Sequence, residues 1–174
     1  MAQDGVVKQA KKVIRVKPTV VAGSTDSGDV MFNATEIPNA VIGKGGSSKL
    51  IGFTIIDKDQ ESHDMSLIFM SKQTNFGTVN AAPSITDANL QAAKVLGAFK
   101  LDFSAQQIVV SQDSGSAAIY SSSGLMGASN SRDYFPMILE AESDSTSVFF
   151  TGIANEAMDY AATDDLEFVF YIEY

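Results

Sequence analysis

The sequence predicts an all-β protein: an antiparallel β-sandwich, jelly-roll-like, with one short helix near residues 86–96. Three observations carry that expectation. Apolar and polar residues alternate with period two in segment after segment. Gly, Ser, Asn and Asp cluster between those segments, as in "AGSTDSGD", "GKGGSS", "SQDSGS" and "SSSGLMGASNSRD". Helical spacing with start and stop signals is confined to "TDANLQAAKVLG".

The elements follow in order. Short strands are expected near residues 13–22, 29–33 and 36–42, and Pro18 and Pro38 put theirs at sheet edges or make them start late. "KLIGFTIID" sets Ile51, Phe53 and Ile55 on one face, and "DMSLIFMS" does the same for Met65, Leu67 and Phe69. Between them, "DKDQESHD" reads as a solvated hairpin turn. Thr86 is the expected helix N-cap, with Asp87 beside the positive helix end. Ile85 and Leu90 fit a hydrophobic staple, Leu90, Ala93 and Leu96 or Val95 form the buried stripe, and Gly97 suits the C′ position. All three are packing features, and the helix should cap one end of the sandwich. "AFKLDF" then places Phe99, Leu101 and Phe103 together. Further strands are expected near 107–111, 117–120 and 148–153. "PMILEAE" sets Met137, Leu139 and Ala141 against Ile138, Glu140 and Glu142. "LEFVFYIEY" opposes Leu166, Phe168, Phe170 and Ile172 to Glu167, Val169, Tyr171 and Glu173.

The 174 residues suit a single domain. The expected division is a basic N-terminal arm at 1–17 and one sandwich domain at 18–174. Charge separates the two. Lys8, Lys11, Lys12, Arg15 and Lys17 stand against Asp4 alone, which leaves +4, while residues 101–174 hold twelve acids against Arg132, which leaves −11. An acidic body repels nucleic acid and anionic membranes. Its basic arm could dock on a neighbour's acidic surface, or simply be solvated. The longest apolar runs, such as "SVFFTGIA", are far short of the roughly 18 residues of a membrane span. No apolar stretch follows the basic N-terminus as it would in a secretory signal.

Reaction chemistry finds little material. The chain has no Cys, so disulfides, thiolate nucleophiles and Cys-type zinc sites are excluded. His63 is the sole imidazole, and a turn histidine without an oriented partner is not a base. Alternate carboxylates in "DKDQESHD" could offer oxygens to a cation such as calcium, but the Gly and final Glu of an EF-hand loop are missing. In "IGKGGSSK" the lysine precedes the glycines and a strand follows, so no phosphate loop is formed. Thr163, Asp164 and Asp165 could cap a turn or bind a cation weakly, and the turn cap is the favoured reading, while "SSSGLMGASNSRDYF" reads as a surface loop. No catalytic, cofactor or metal residue is assigned, and no enzyme is expected. Expected partner contacts are Lys8, Lys11, Lys12, Arg15 and Lys17 of the arm, with Tyr171 and Tyr174 of the last strand.

A more specific pattern runs through residues 27–103. "GDV" and "FNATEIPNAV" come first. Asp57-Lys58-Asp59 ends one strand and Asp64 to Phe69 forms the next. Phe76-Gly77, Asn80, Ala82 to Ala88 and Val95 to Gly97 complete it. This pattern resembles a family of virion structural proteins of tailed phages, common in marine phages and including capsid decoration (cement) proteins. The C-terminal third matches it poorly. The resemblance carries over no catalytic residue. It implies a β-sandwich on the exterior of the capsid, bound to the major capsid protein as a dimer or trimer, with no direct nucleic-acid or membrane contact. A neck, tail or fibre-base component, or a carbohydrate-binding sandwich, are the alternatives.

Overall fold

Alternation gives each strand one face for the core and one for solvent, and two such sheets can bury their apolar faces against each other. The computed structural model shows that arrangement, and it describes residues 10–61, 63–103, 107–111, 117–123 and 135–174. The first sheet runs β1 (Lys11–Val16), β12 (Leu166–Glu173), β4 (Ser47–Asp57), β8 (Ala117–Ser123) and β7 (Ile108–Ser111). β9 (Met137–Glu140) pairs with the first half of β4. The second sheet runs β3 (Val30–Ile37), β10 (Val148–Ala154), β5 (Met65–Met70) and β6 (Val95–Leu101). β2 (Gly23–Thr25) and β11 (Met158–Tyr160) form a small separate ribbon. With β1, β3, β4, β5, β6, β8, β10 and β12 counted in chain order, the sheets read 1-8-3-6 and 2-7-4-5. That is the strand order of a jelly roll, in which every connection but the fourth crosses between sheets.

Aromatic rings fill the space between the sheets. Phe150 of β10 lies 5.0 Å from both Phe168 and Phe170 of β12, and Phe69 of β5 lies 5.8 Å from Phe170. All four are fully buried. Edge-to-face pairs of this kind add about 0.5–1.5 kcal/mol each beyond the area they bury.

Several local expectations change. Residues 11–16 are not a free arm: β1 pairs antiparallel with β12, and Ile14 and Val16 are buried. "DKDQESHD" is not a hairpin turn, because β4 and β5 belong to different sheets, and the segment is a crossover. Ile51 does not share the face of Phe53 and Ile55. A bulge pairs Gly52 with Tyr171 and Leu50 with Ile172, so Leu50 takes the inner position. The helix α1 (Asp87–Ala93) starts at Thr86 as expected but ends early, at Lys94 in a left-handed conformation, φ 51°. Gly97 lies within β6 instead. Leu90 and Val95 are exposed, and Ala93 is the helix's buried residue. The helix does not cap an end. Ala93, Phe76 and Ile85 pack with Val30, Ala34, Ile68 and Met70, covering the outer face of the four-stranded sheet. The loop expected at 121–135 lies mostly outside the described residues, as does Lys8.

Candidate functional site

Jelly-roll connectivity sorts the loops to two ends. Lys11 faces Glu173 and Asp57 faces Leu166, so the crossover 58–64 and the segment 155–165 share one end. Ala10 and Tyr174 lie at the other, joined by a bond from the Tyr174 amide to the Ala10 carbonyl at 2.9 Å.

The first end is acidic and tightly knit. Asp57, on the inner face of β4, is 1 % exposed and accepts from the Asp59 amide at 3.0 Å. Asp59 Oδ2 accepts from the Ala161 amide at 2.7 Å, and Glu61 Oε2 from the Asp159 amide at 2.8 Å. Asp64 Oδ1 accepts from the Phe103 amide at 2.9 Å. Asp165 turns back on the Ala162 amide at 2.6 Å, which is the turn role expected of "TDD". The Lys58 ammonium reaches Asp164 Oδ2 at 2.8 Å. That contact holds the Asp164 carboxyl below the usual carboxylate range and the lysine above its own. These carboxylates act mainly as acceptors for backbone N–H groups that the irregular chain leaves without a ladder partner.

His63 sits between two of them, Nε2 3.5 Å from Glu61 and Nδ1 3.3 Å from Glu156. Ser24, Glu61, His63, Met158 and Asp159 line a surface cavity of about 200 Å³ there. Both ring nitrogens thus face carboxylates that also bind backbone or solvent. The feature that sequence reasoning missed is Tyr160. It is 2 % exposed, and its hydroxyl is buried with no hydrogen-bond partner among the described residues. Burial raises its pKa well above 10.0, and Asp57, Glu61, Asp165 and Asp59 add to the effect. Alternation marks Tyr160 as inward-facing, but no short-range pattern shows what surrounds it.

The residues expected to contact partners occupy two other places. Arg15 Nη1 lies 2.7 Å from Glu167 Oε1, and Lys17 Nζ 3.9 Å from Oε2 of the same carboxylate. Lys11 is exposed at the edge of the sheet, and Lys12 Nζ donates to the Asn39 carbonyl at 3.4 Å. The Tyr174 hydroxyl donates to that carbonyl at 2.7 Å and ties the chain's end to the loop after β3. Tyr171 faces outward, with its hydroxyl 3.1 Å from Thr54 Oγ1, which is 3.0 Å from Ser121 Oγ. Of the expected set, Lys11, Arg15 and Tyr171 therefore share one surface, the outer face of the six-stranded sheet.

No protein-family model matches the chain, and no curated protein matches it. No helix among the described residues is long and apolar enough to cross a membrane.

Proposed function

We propose that this protein is a structural component of a tailed-phage virion, a decoration protein that binds the outside of the head shell as a dimer or trimer and stabilises it. The observation that carries the reading is the residue pattern over 27–103 and the positions its members hold. Asp57 closes β4, Asp64 receives the Phe103 amide, and Phe76 is buried against the outer face of the second sheet. The Asn80 amide bonds the Val30 carbonyl at 2.8 Å from a left-handed backbone, φ 61°. The pattern thus falls on framework residues, as suits proteins that share a scaffold and work by shape.

The surface available for such binding is the outer face of the six-stranded sheet, which α1 and its neighbours do not cover. Registers align Arg15, Val169, Thr54 and Ser121 in one row, with Val169 itself buried, and Glu167, Ile56, Ile119 and Ile108 in the next. Val13 and Ile108 are 58 % and 66 % exposed. A mixed apolar and hydrogen-bonding face of this kind fits an interface that depends on area and complementarity.

Quantitative mass spectrometry of particles carrying the chain is the test. A copy number comparable to that of the shell subunit is expected. A copy number of a single ring would instead indicate a neck or tail component. Absence from purified particles would overturn the reading.

A further inference from the structure

A sheet edge offers a row of unpaired backbone N–H and C=O groups, and proteins blunt such edges with charge, proline or a covering segment. The two sheet paths end at β1, β7, β3 and β6, and three of those edges are blunted. β1 carries Lys11, Lys12 and Arg15 and runs on to Pro18. β3 is covered, since the Ala34 amide donates to Asn75 Oδ1 at 3.0 Å and the Val30 amide to the Ala81 carbonyl at 3.0 Å. β6 carries exposed Lys100 and sets Gly97 against Met137 of β9. β7 has none of these devices among the described residues. Its Ile108, Val109 and Val110 are 66 %, 37 % and 55 % exposed, and residues 103–112 hold no charge. Val110 is the extra residue of a bulge, because Val109 pairs with Ala118 and Ser111 with Ala117. A bulge can turn an edge away from partners, but this one presents a third apolar side chain to solvent.

We propose that β7 is a self-pairing edge, at which a second copy of this chain adds antiparallel across a two-fold axis at Val109 and forms a dimer. An open strand edge is satisfied by another extended strand, and β7 is complementary to itself. An antiparallel pair centred on Val109 sets Val109 against its own copy and Ile108 against Val110, so only apolar side chains meet. A second copy brings no like charge to this strip, although the whole chain carries a net charge of −9. Both faces of the sheet gain from the junction. Val109 shares the inner row of fully buried Ala118, and Ile108 continues the outer row of Ile119 and Ile56. The two six-stranded sheets become one continuous sheet. Its two-fold axis stands perpendicular to it, so the outer faces of both copies point the same way. Particle binding by those faces rests on the function proposed above, whereas the dimer rests on the edge alone. Pairing of this kind uses both β7 edges and closes at two copies, and the lysine-bearing β1 strands end the joined sheet. The paired run is short, so the interface falls below the roughly 1,200–2,000 Å² of a standard one, and a dissociation constant on the order of 10–100 μM is expected.

The test uses the full chain in sedimentation velocity, from well below to well above that concentration. The parent should pass reversibly from monomer to dimer. Ile108→Lys and Val110→Lys, each at a largely exposed position, should raise the dissociation constant about tenfold or more and leave the monomer's unfolding midpoint at the parent value. The chain has no Cys, so a single introduced cysteine reports position. Val109→Cys treated with diamide should form a disulfide-linked dimer, because facing residues at the axis lie within disulfide reach. Val13→Cys, exposed on β1, should crosslink at least about tenfold more slowly. The proposal fails if the parent stays monomeric at every concentration, which would leave the edge to a strand of another protein, or if it assembles beyond two copies. It fails equally if both lysine variants associate like the parent, or if Val13→Cys crosslinks as readily as Val109→Cys. A monomer would strike the dimer and leave the virion reading to its own copy-number test.

Discussion

Gly152 of β10 has no room for a side chain. A Cβ there would lie 2.5 Å from Phe32 Cε1 and 2.9 Å from Cζ. Phe32 cannot step aside, because its ring is fully buried and lies 5.3 Å from Phe150 and 5.9 Å from Phe168. Gly152→Ala should therefore cost about 1–3 kcal/mol in denaturant unfolding. Gly97 makes a useful contrast, since its Cβ would meet Met137 Sδ at 2.5 Å, and a flexible thioether can move. Tyr160 offers a second residue-scale prediction, through pH. Below its unfolded pKa of 10.0 both states keep the phenolic proton. Above it the unfolded chain loses the proton and the folded chain, with its raised pKa, holds it, so stability falls as pH rises. Between about pH 9 and about pH 11 the thermal midpoint should decline more steeply in the parent than in Tyr160→Phe, and parallel curves would contradict the buried phenol.

At the scale of elements, alternation proved readable where strands are regular and misleading where they are not. The inward sets of β5, β9 and β12 follow from period two alone. In β4 one bulged residue exchanges Ile51 for Leu50, because a single extra residue inverts every later face. Alternation also says which side a strand buries without saying which sheet it joins. That is why the segment 57–64, bounded by two apolar strands, reads as a hairpin and is a crossover. The helix shows the same limit. Its N-cap was legible, as Thr86 Oγ1 accepts from the Asn89 amide at 3.3 Å. Its stop was not, since Lys94 takes the left-handed turn and β6 begins at the very next residue, which puts Gly97 inside the strand, paired with Phe69. The candidate acidic site was half legible: Asp57, Asp59 and Glu61 lie together in sequence, but Asp165 and Tyr160 join them only through topology. With just Ala93 buried, α1 depends on its cap. Thr86→Ala should cost roughly 0.5–1 kcal/mol and speed hydrogen exchange at Asn89 and Leu90 before the sheets open, and unchanged exchange would show that packing alone holds the helix.

For the whole molecule, β1 starts at the end of the sandwich opposite the acidic cluster, where the Ala10 carbonyl receives the Tyr174 amide. β1 itself is a structural strand. Its Ile14 and Val16 belong to the main core, and each buried side chain of that size contributes about 1.5–3 kcal/mol. Deleting residues 1–17 should therefore destabilise the domain by roughly 3–6 kcal/mol by the same measure, and any loss of particle binding would then report unfolding. Deleting residues 1–9 alone separates the two roles. On the proposed reading, the unfolding midpoint should stay at the parent value while attachment to heads weakens, because Lys8 goes while every described strand remains. If the shortened chain binds heads as tightly as the parent, the contact surface lies on the sheet, and Arg15→Ala with Tyr171→Ala becomes the pair that should weaken it. Arg15 is largely exposed and its bridge to Glu167 contributes at most about 1 kcal/mol to folding, so that pair can be read for binding without loss of the fold.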